Sequence, residues 1–315
     1  MVFEPRLDSV RWSTEDERPK VEWPGGQPFR TDATKATTLT HDIPLRSIDL
    51  RLPEDDGSPK EFPFSVPALH GLETIDLGCP VCCFVGENGS GKSTLMEALA
   101  IATGLPTVGS VTAARDRSLA SQARLARCLK LVWTRRAHRG FFLRAEDFFG
   151  FARRLVEMRT EFKEDLKEID KDYRDRSDYA RMLAKGPANR SLGEMQNRYG
   201  EDLDANSHGE SFLKLFQSRL VPGGLYLLDE PEAALSPQSQ LAFLAMIKSS
   251  VDDGSQFVIA THSPILMAIP GATIYSFDER PAGAVGFDDL EHVNLMRDFL
   301  AQPERFIRHL WTDDD

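Results

Sequence analysis

Short apolar runs that end in glycine or a carboxylate alternate, over most of the chain, with segments whose apolar side chains recur every three to four residues. SIDLRL (47–52) alternates apolar and polar positions and predicts a strand. PVCCFVG (80–86) is a continuous apolar run ending in glycine, as expected of a strand buried in a parallel sheet. A helix is predicted to follow over 91–102. CLKLVW (128–133) and GFFLRA (140–145) predict a pair of strands joined by a basic turn. Phe151, Leu155, Met158, Phe162, Leu166, Ile169 and Tyr173 then share one face of a long helix. Lys163, Glu164, Lys167, Glu168 and Lys171 give that helix a salt-bridged polar face. About two heptads do not specify a coiled-coil arm, so the helix is expected to pack on its own domain, with KGPANRSLGEM (185–195) breaking it. The last third predicts strands over 224–229, 255–262 and 272–277, and helices over 237–249, 289–301 and 303–311. Such alternation means an α/β fold, a mainly parallel sheet with helices on its faces. Residues 1–44 follow neither period, with PGG at 24–26 and a Thr-rich stretch at 31–40. They predict a loosely ordered N-terminal extension ahead of a domain over 45–315, with a helical insert at about 147–206.

Composition narrows the function classes. The chain has 315 residues, 41% of them apolar, enough for a sizeable core. Thirty-eight basic against 49 acidic side chains leave a net charge of −11, which argues against a surface that coats nucleic acid indiscriminately. One stretch runs the other way: residues 112–154 carry eleven basic side chains, including Lys130, against Asp116, Glu146 and Asp147. That asymmetry is either a DNA-binding face around Arg135, Arg136 and Trp133 or a solvated strand pair neutralised by its neighbours. No run of 18 apolar residues predicts a membrane span, and MVFEPRLDSV lacks the form of a signal peptide, so a cytoplasmic protein is expected. CPVCC contains a CxxC spacing, the mark of half a zinc site or a redox pair. A zinc site would need a second ligand pair, and none is near. CCFVG reads instead as a buried strand in which cysteine is a small hydrophobe.

GENGSGKS, Gly86 to Ser93, fits the G-x-x-x-x-G-K-[ST] phosphate-binding loop at every position, with an apolar strand before it and a helix after it. The predicted nucleotide-binding set is Gly86, Glu87, Asn88, Gly89, Ser90, Gly91, Lys92, Ser93 and Thr94. The glycines let backbone amides wrap a phosphate, and the helix start points its positive end at the same group. Lys92 reaches the β- and γ-phosphates, and the Ser93 hydroxyl ligates Mg²⁺. LYLLDEPEAALSP (225–237) is a buried strand ending in two carboxylates. Asp229 is then the acid associated with the metal, and Glu230 the general base for an attacking water. VIATHSP ends another apolar strand at His262, within reach of a γ-phosphate if both strands end on one sheet edge.

Together these segments resemble the ABC-type ATPase domain, in the branch that includes the SMC, RecF and break-repair ATPases. They are most similar to small stand-alone bacterial AAA or ABC-like ATPases, through GFFLRAE, SHGES, LLDEPEAALSP, ATHSPIL and a DFL…PERF…HL ending. The resemblance covers about residues 45–311 and implies a P-loop NTPase head that binds and hydrolyses Mg-ATP. It implies that SHGESF (207–212) is the signature motif, with Ser207, Gly209 and Glu210 acting on ATP held by a second subunit. A head-to-tail homodimer closed by ATP follows, with catalytic roles for Lys92, Glu230 and His262. Ala234–Pro237 is similar to the D-loop. Where the family carries a glutamine after the strand before its insert, this chain offers Glu146 as a third metal-side residue. The coupled partner stays open: DNA in repair, maintenance or defence, the membrane subunits of an ABC transporter, or a protein effector recruited by a slow ATP-gated switch.

Overall fold

The computed structural model describes residues 43–51, 61–108, 121–199 and 208–308. The proposed N-terminal extension therefore lies almost wholly outside the described residues, as does Ser207. The described strands are β1 (Leu45–Leu50), β2 (Thr74–Asp76), β3 (Val81–Val85), β4 (Leu129–Trp133), β5 (Gly140–Arg144), β6 (Leu225–Asp229), β7 (Gln256–Ala260), β8 (Thr273–Ser276) and β9 (Gly283–Val285). The helices are α1 (Lys92–Thr103), α2 (Gln122–Ala126), α3 (Ala145–Asp172), α4 (Asp178–Tyr199), α5 (His208–Arg219), α6 (Pro237–Asp252), α7 (Pro264–Met267), α8 (Glu291–Ala301) and α9 (Pro303–Ile307).

Six strands form the main sheet in the order β5-β6-β7-β3-β8-β9, parallel except for β9. Its central strands are buried on both faces because they are apolar apart from Asp229 at the end of β6 and Gln256 at the start of β7. Alternate residues feed two cores. Cys82, Phe84, Leu225 and Leu227 point toward α1 and the small sheet, while Cys83, Val85, Tyr226 and Leu228 point toward α5 and α6. On that second side Phe141, Phe212, Phe216, Phe243 and Phe257 pack ring against ring around Tyr226. No described helix is long and apolar enough to cross a membrane.

Two expectations are corrected. The segments 128–133 and 140–145 are both strands, but they do not pair. β4 joins β1 in a separate antiparallel sheet, β2-β1-β4, with Ile48 opposite Leu131. β5 instead runs parallel to β6, with Phe142 opposite Leu227. Gly140 makes this change of sheet feasible: its φ is +133°, and a Cβ there would lie 1.8 Å from the Leu225 carbonyl oxygen. The antiparallel pair of the main sheet is β8–β9.

Residues 185–195 do not break a helix either. α3 ends at Asp172, and α4 runs through Pro187 to Tyr199. Proline removes one helical amide bond, but α4 folds back on α3, where Ala184, Pro187, Ala188 and Ser191 line one groove with Phe162 and Ile169. Lys185 pairs with Asp170 at 2.6 Å across the same contact. Tertiary packing here overrides local propensity.

Candidate functional site

Parallel register brings the chemistry to one edge. Phe84 lies opposite Ala260, and Ala260 lies opposite Asp229. The carboxyl ends of β3, β7 and β6 therefore stand side by side, the place where open α/β sheets bind ligands. Beyond them come, in space, the phosphate loop, the His262 segment and the Asp229–Glu230 pair. β7 lies between the other two strands, so the histidine segment is flanked by both motifs.

The loop 86–91 turns on three left-handed glycines: Gly86 (φ +144°), Gly89 (φ +81°) and Gly91 (φ +107°). At Gly91 a Cβ would meet Val66 Cγ1 at 2.2 Å, so the backbone is packed hard against its neighbour where α1 begins. Lys92, only 3% exposed, donates from Nζ to the Gly86 carbonyl at 2.7 Å and the Glu87 carbonyl at 2.9 Å. Burial pulls its ammonium below the usual lysine range, opposed by the charges of Glu230, Asp278, Asp229 and Glu232. Ser93 Oγ donates to Asp229 Oδ1 at 3.1 Å, so the two expected metal-side groups touch.

Asp229 is 7% exposed, and burial pushes its carboxyl up to about 7 against the Ser93 hydrogen bond. Folding thus takes up a proton at Asp229. Its destabilising effect is absent below about pH 4, the range of a free aspartate, grows as pH rises, and is complete above about 7. Asp229→Asn is therefore expected to raise the metal-free melting temperature at pH 8 by a few degrees, roughly 2–4 °C per kcal/mol for a chain of this size. The gain should shrink toward pH 4 in thermal melts with a chelator. A difference that ignores pH would contradict the buried-carboxylate account.

Glu230 is the one non-glycine residue with positive φ among the described residues (φ 52°, ψ 48°). Its amide donates to the Ala260 carbonyl at 2.9 Å, which ties the end of β6 to β7. His262 Nε2 lies 3.6 Å from Glu230 Oε1. That nitrogen and Glu232 Oε2 are buried without a hydrogen-bond partner among the described residues. Gly209 and Glu210 fall in the first turn of α5. A Cβ at Gly209 would meet Ser239 Oγ at 3.0 Å and the Ala234 carbonyl at 3.4 Å, so this helix start abuts the D-loop-like segment. Glu146 is largely exposed, with its carboxylate 3.2 Å from Arg144 Nη1.

Two family models match this arrangement. One, described as an AAA domain, matches residues 66–176. The other matches residues 140–268, and its description names an AAA domain and the AbiEii toxin of a type IV toxin–antitoxin system. Between them they span the phosphate loop, the acidic strand and His262. Over residues 66–268 the chain resembles AAA-type ATPases, which supports an ATP-hydrolysing enzyme. A Haemophilus influenzae protein named as an uncharacterized ABC transporter ATP-binding protein is 28% identical over 240 residues, 73% of this chain and 82% of that protein. The Smc head domain of Pyrococcus furiosus, solved with an extended coiled coil bound to the C-terminal domain of ScpA, superposes with a TM-score of 0.38 at 13% identity, covering 82% of this chain and 100% of that one. An ATP-binding cassette of an ABC transporter in its ADP conformation gives 0.40 at 13% identity, covering 85% and 99%.

Several residues outside the predicted set hold the candidate site together. Asp278, just past β8, accepts the Glu87 amide at 2.7 Å and fixes the start of the phosphate loop. Glu232 Oε1 accepts the His262 amide at 2.6 Å. Gln240 Nε2 donates to the Leu235 carbonyl at 3.2 Å, while its Oε1 accepts from Ser263 Oγ at 2.5 Å, which links the D-loop-like segment to the histidine segment. Arg144, opposite Asp229 in the sheet, holds Asp147 at 2.7 Å and Glu97 at 3.3 Å.

Proposed function

We propose that the protein hydrolyses Mg-ATP at the interface of a cytoplasmic head-to-tail homodimer, and that ATP-driven closure of the dimer is coupled to a macromolecular partner. The contact between Ser93 and Asp229, beside buried Lys92 and strained Glu230, carries this reading. Loop amides from Gly86 to Thr94 and Lys92 would bind the phosphates. Four carboxylates act on a single buried ammonium, and a divalent cation fits that excess of negative charge. Ser93 and Asp229 would hold magnesium, which when bound neutralises phosphate charge; Glu146 would join only by leaving Arg144. Glu230 would take the proton of the attacking water, and His262, whose Nε2 has no hydrogen-bond partner among the described residues, would orient that water or the γ-phosphate. The segment at Ser207, Gly209 and Glu210 would complete the site of the other subunit, with the N-terminus of α5 directed at its phosphates.

DNA is the proposed partner with a specific surface. Much of the basic stretch is neutralised at home: Arg124 pairs with Glu61, Lys130 with Asp49, and buried Arg144 with Asp147 and Glu97. Arg135 docks on the Gly223 carbonyl at 3.3 Å. The turn between β4 and β5 nevertheless presents Arg136, His138 and Arg139 to solvent. Steady-state turnover per subunit is expected to rise with protein concentration and to rise again with duplex DNA. The DNA increment should fall with added salt and vanish in Arg136→Glu/Arg139→Glu. Turnover independent of concentration would refute the shared site, and indifference to DNA would leave a transporter subunit or a protein effector as the partner.

A further inference from the structure

The CPVCC segment is more than two core residues. Cys82 and Cys83 are buried in β3 on opposite faces, but Cys79 precedes the strand and is only half-buried. The chain turns sharply there. Gly78 donates its amide to Asp76 Oδ1 at 2.8 Å, Pro80 follows Cys79, and Cys79 Sγ lies 2.7 Å from Cys82 Sγ. A disulfide needs about 2.05 Å between sulfurs, a closure within reach of small side-chain rotations. The segment is also held in place. The buried Gln256 amide donates to the carbonyls of Leu77 at 2.7 Å and Cys79 at 3.4 Å, and to that of Leu45 at 2.8 Å.

We propose that Cys79 and Cys82 are a dithiol modification site, which small disulfides of the glutathione class oxidise to an intramolecular disulfide. Cys79 is the attacking sulfur because it alone of the pair reaches solvent. The hydrogen bond from Cys82, aided by Thr273, holds the Cys79 thiol down to about 7 against burial and the nearby charge of Asp76. The same bond and burial push Cys82 well above the usual range, so Cys82 is the thiol that keeps its proton when the pair loses one; while protonated, Cys79 Sγ donates to the Val81 carbonyl at 3.1 Å. Cys83, fully buried on the other face, is pushed up to about 12 and is inert. The Cys79 thiolate attacks the reagent disulfide, forming one S–S bond and releasing a reagent thiolate. Cys82 then attacks the Cys79 sulfur, and its proton passes to the second departing thiolate. Two protein thiols lose two electrons, and one reagent disulfide becomes two thiols. The site lies at the far end of β3 from Gly86, four residues or roughly 13 Å along the strand, and is independent of the nucleotide reading.

The test treats the full chain with oxidised glutathione, alkylates it under denaturing conditions and maps the cysteines by fragmentation. In the wild type and in Cys128→Ser, the expected product joins Cys79 to Cys82 and leaves Cys83 alkylated. Cys82→Ser should stop at a glutathione adduct on Cys79, and Cys79→Ser should leave Cys82 reduced. Native alkylation of Cys79 should have its midpoint near pH 7 and shift upward in Cys82→Ser. Oxidation confined to Cys128, a lasting adduct on Cys79 in the wild type, or an unmoved midpoint would overturn the proposal.

Discussion

Lys92→Ala is expected to weaken ATP binding by at least about 100-fold and to leave no measurable turnover, as read by calorimetric titration and phosphate release. The magnitude follows from the environment of the amine. A charged hydrogen bond in a buried setting is worth about 1.5–3 kcal/mol, and ~1.4 kcal/mol is a factor of ten in affinity. Lys92 is 3% exposed and already spans the Gly86 and Glu87 carbonyls, so it is prepaid in position for the phosphates. Its removal takes away the ammonium on which the charges of Glu230, Asp278, Asp229 and Glu232 act, and with it the positive charge that offsets an incoming polyphosphate. The fold should survive, because the hydrophobic contacts of α1 with the core are made by Leu95, Met96, Ala98, Leu99 and Ala100, and Lys92, though buried, lies outside that cluster. A melting curve close to wild type, together with lost binding, separates a binding role from a structural one. Normal ATP affinity in a folded Lys92→Ala protein would remove the phosphate-loop assignment.

The site was legible where chemistry demands contiguous residues. A phosphate loop needs glycines and a lysine at fixed spacing, and a buried strand that ends in carboxylates is visible as LYLLDE. The groups that hold these motifs together were not legible. Asp278 and Glu87 are 191 residues apart, and the Gln240–Ser263 bond joins an ordinary surface-type residue of α6 to the turn before α7. Nothing local distinguishes such residues from solvated polar positions, because their role comes from strand order. The same limit explains the strand-pair error. β4 and β5 are adjacent in sequence and each carries strand propensity, but β5 is apolar enough to enter a buried sheet while β4 is half exposed. The expected helix break at 185–195 is absent for the opposite reason. The Gly-Pro pair of α4 is a poor helix former, and the segment is helical where it packs against α3.

Glu230→Gln should bind ATP about as well as wild type, yet hydrolyse it at least about 100-fold more slowly, within the usual contribution of a general base. The substitution keeps the shape of the side chain and removes only its proton-accepting charge. The backbone argues that this residue is held for chemistry and not for stability. A non-glycine residue in the left-handed region costs of order 1–3 kcal/mol, and Glu230 adopts φ 52° directly before Pro231. That conformation directs the carboxylate beside His262 Nε2, at 3.6 Å, while the Ala260 carbonyl holds the amide. Glu230→Gly should relieve the strain and melt higher than wild type, while being as inactive as Glu230→Gln. If ATP closes the head-to-tail dimer and hydrolysis reopens it, Glu230→Gln should also run as a dimer in ATP by light scattering, whereas Lys92→Ala stays monomeric. Wild-type turnover in Glu230→Gln would shift the search for the base to Glu232, whose buried Oε2 has no partner among the described residues. Slow turnover without ATP-dependent dimer would keep the base and remove the shared interface.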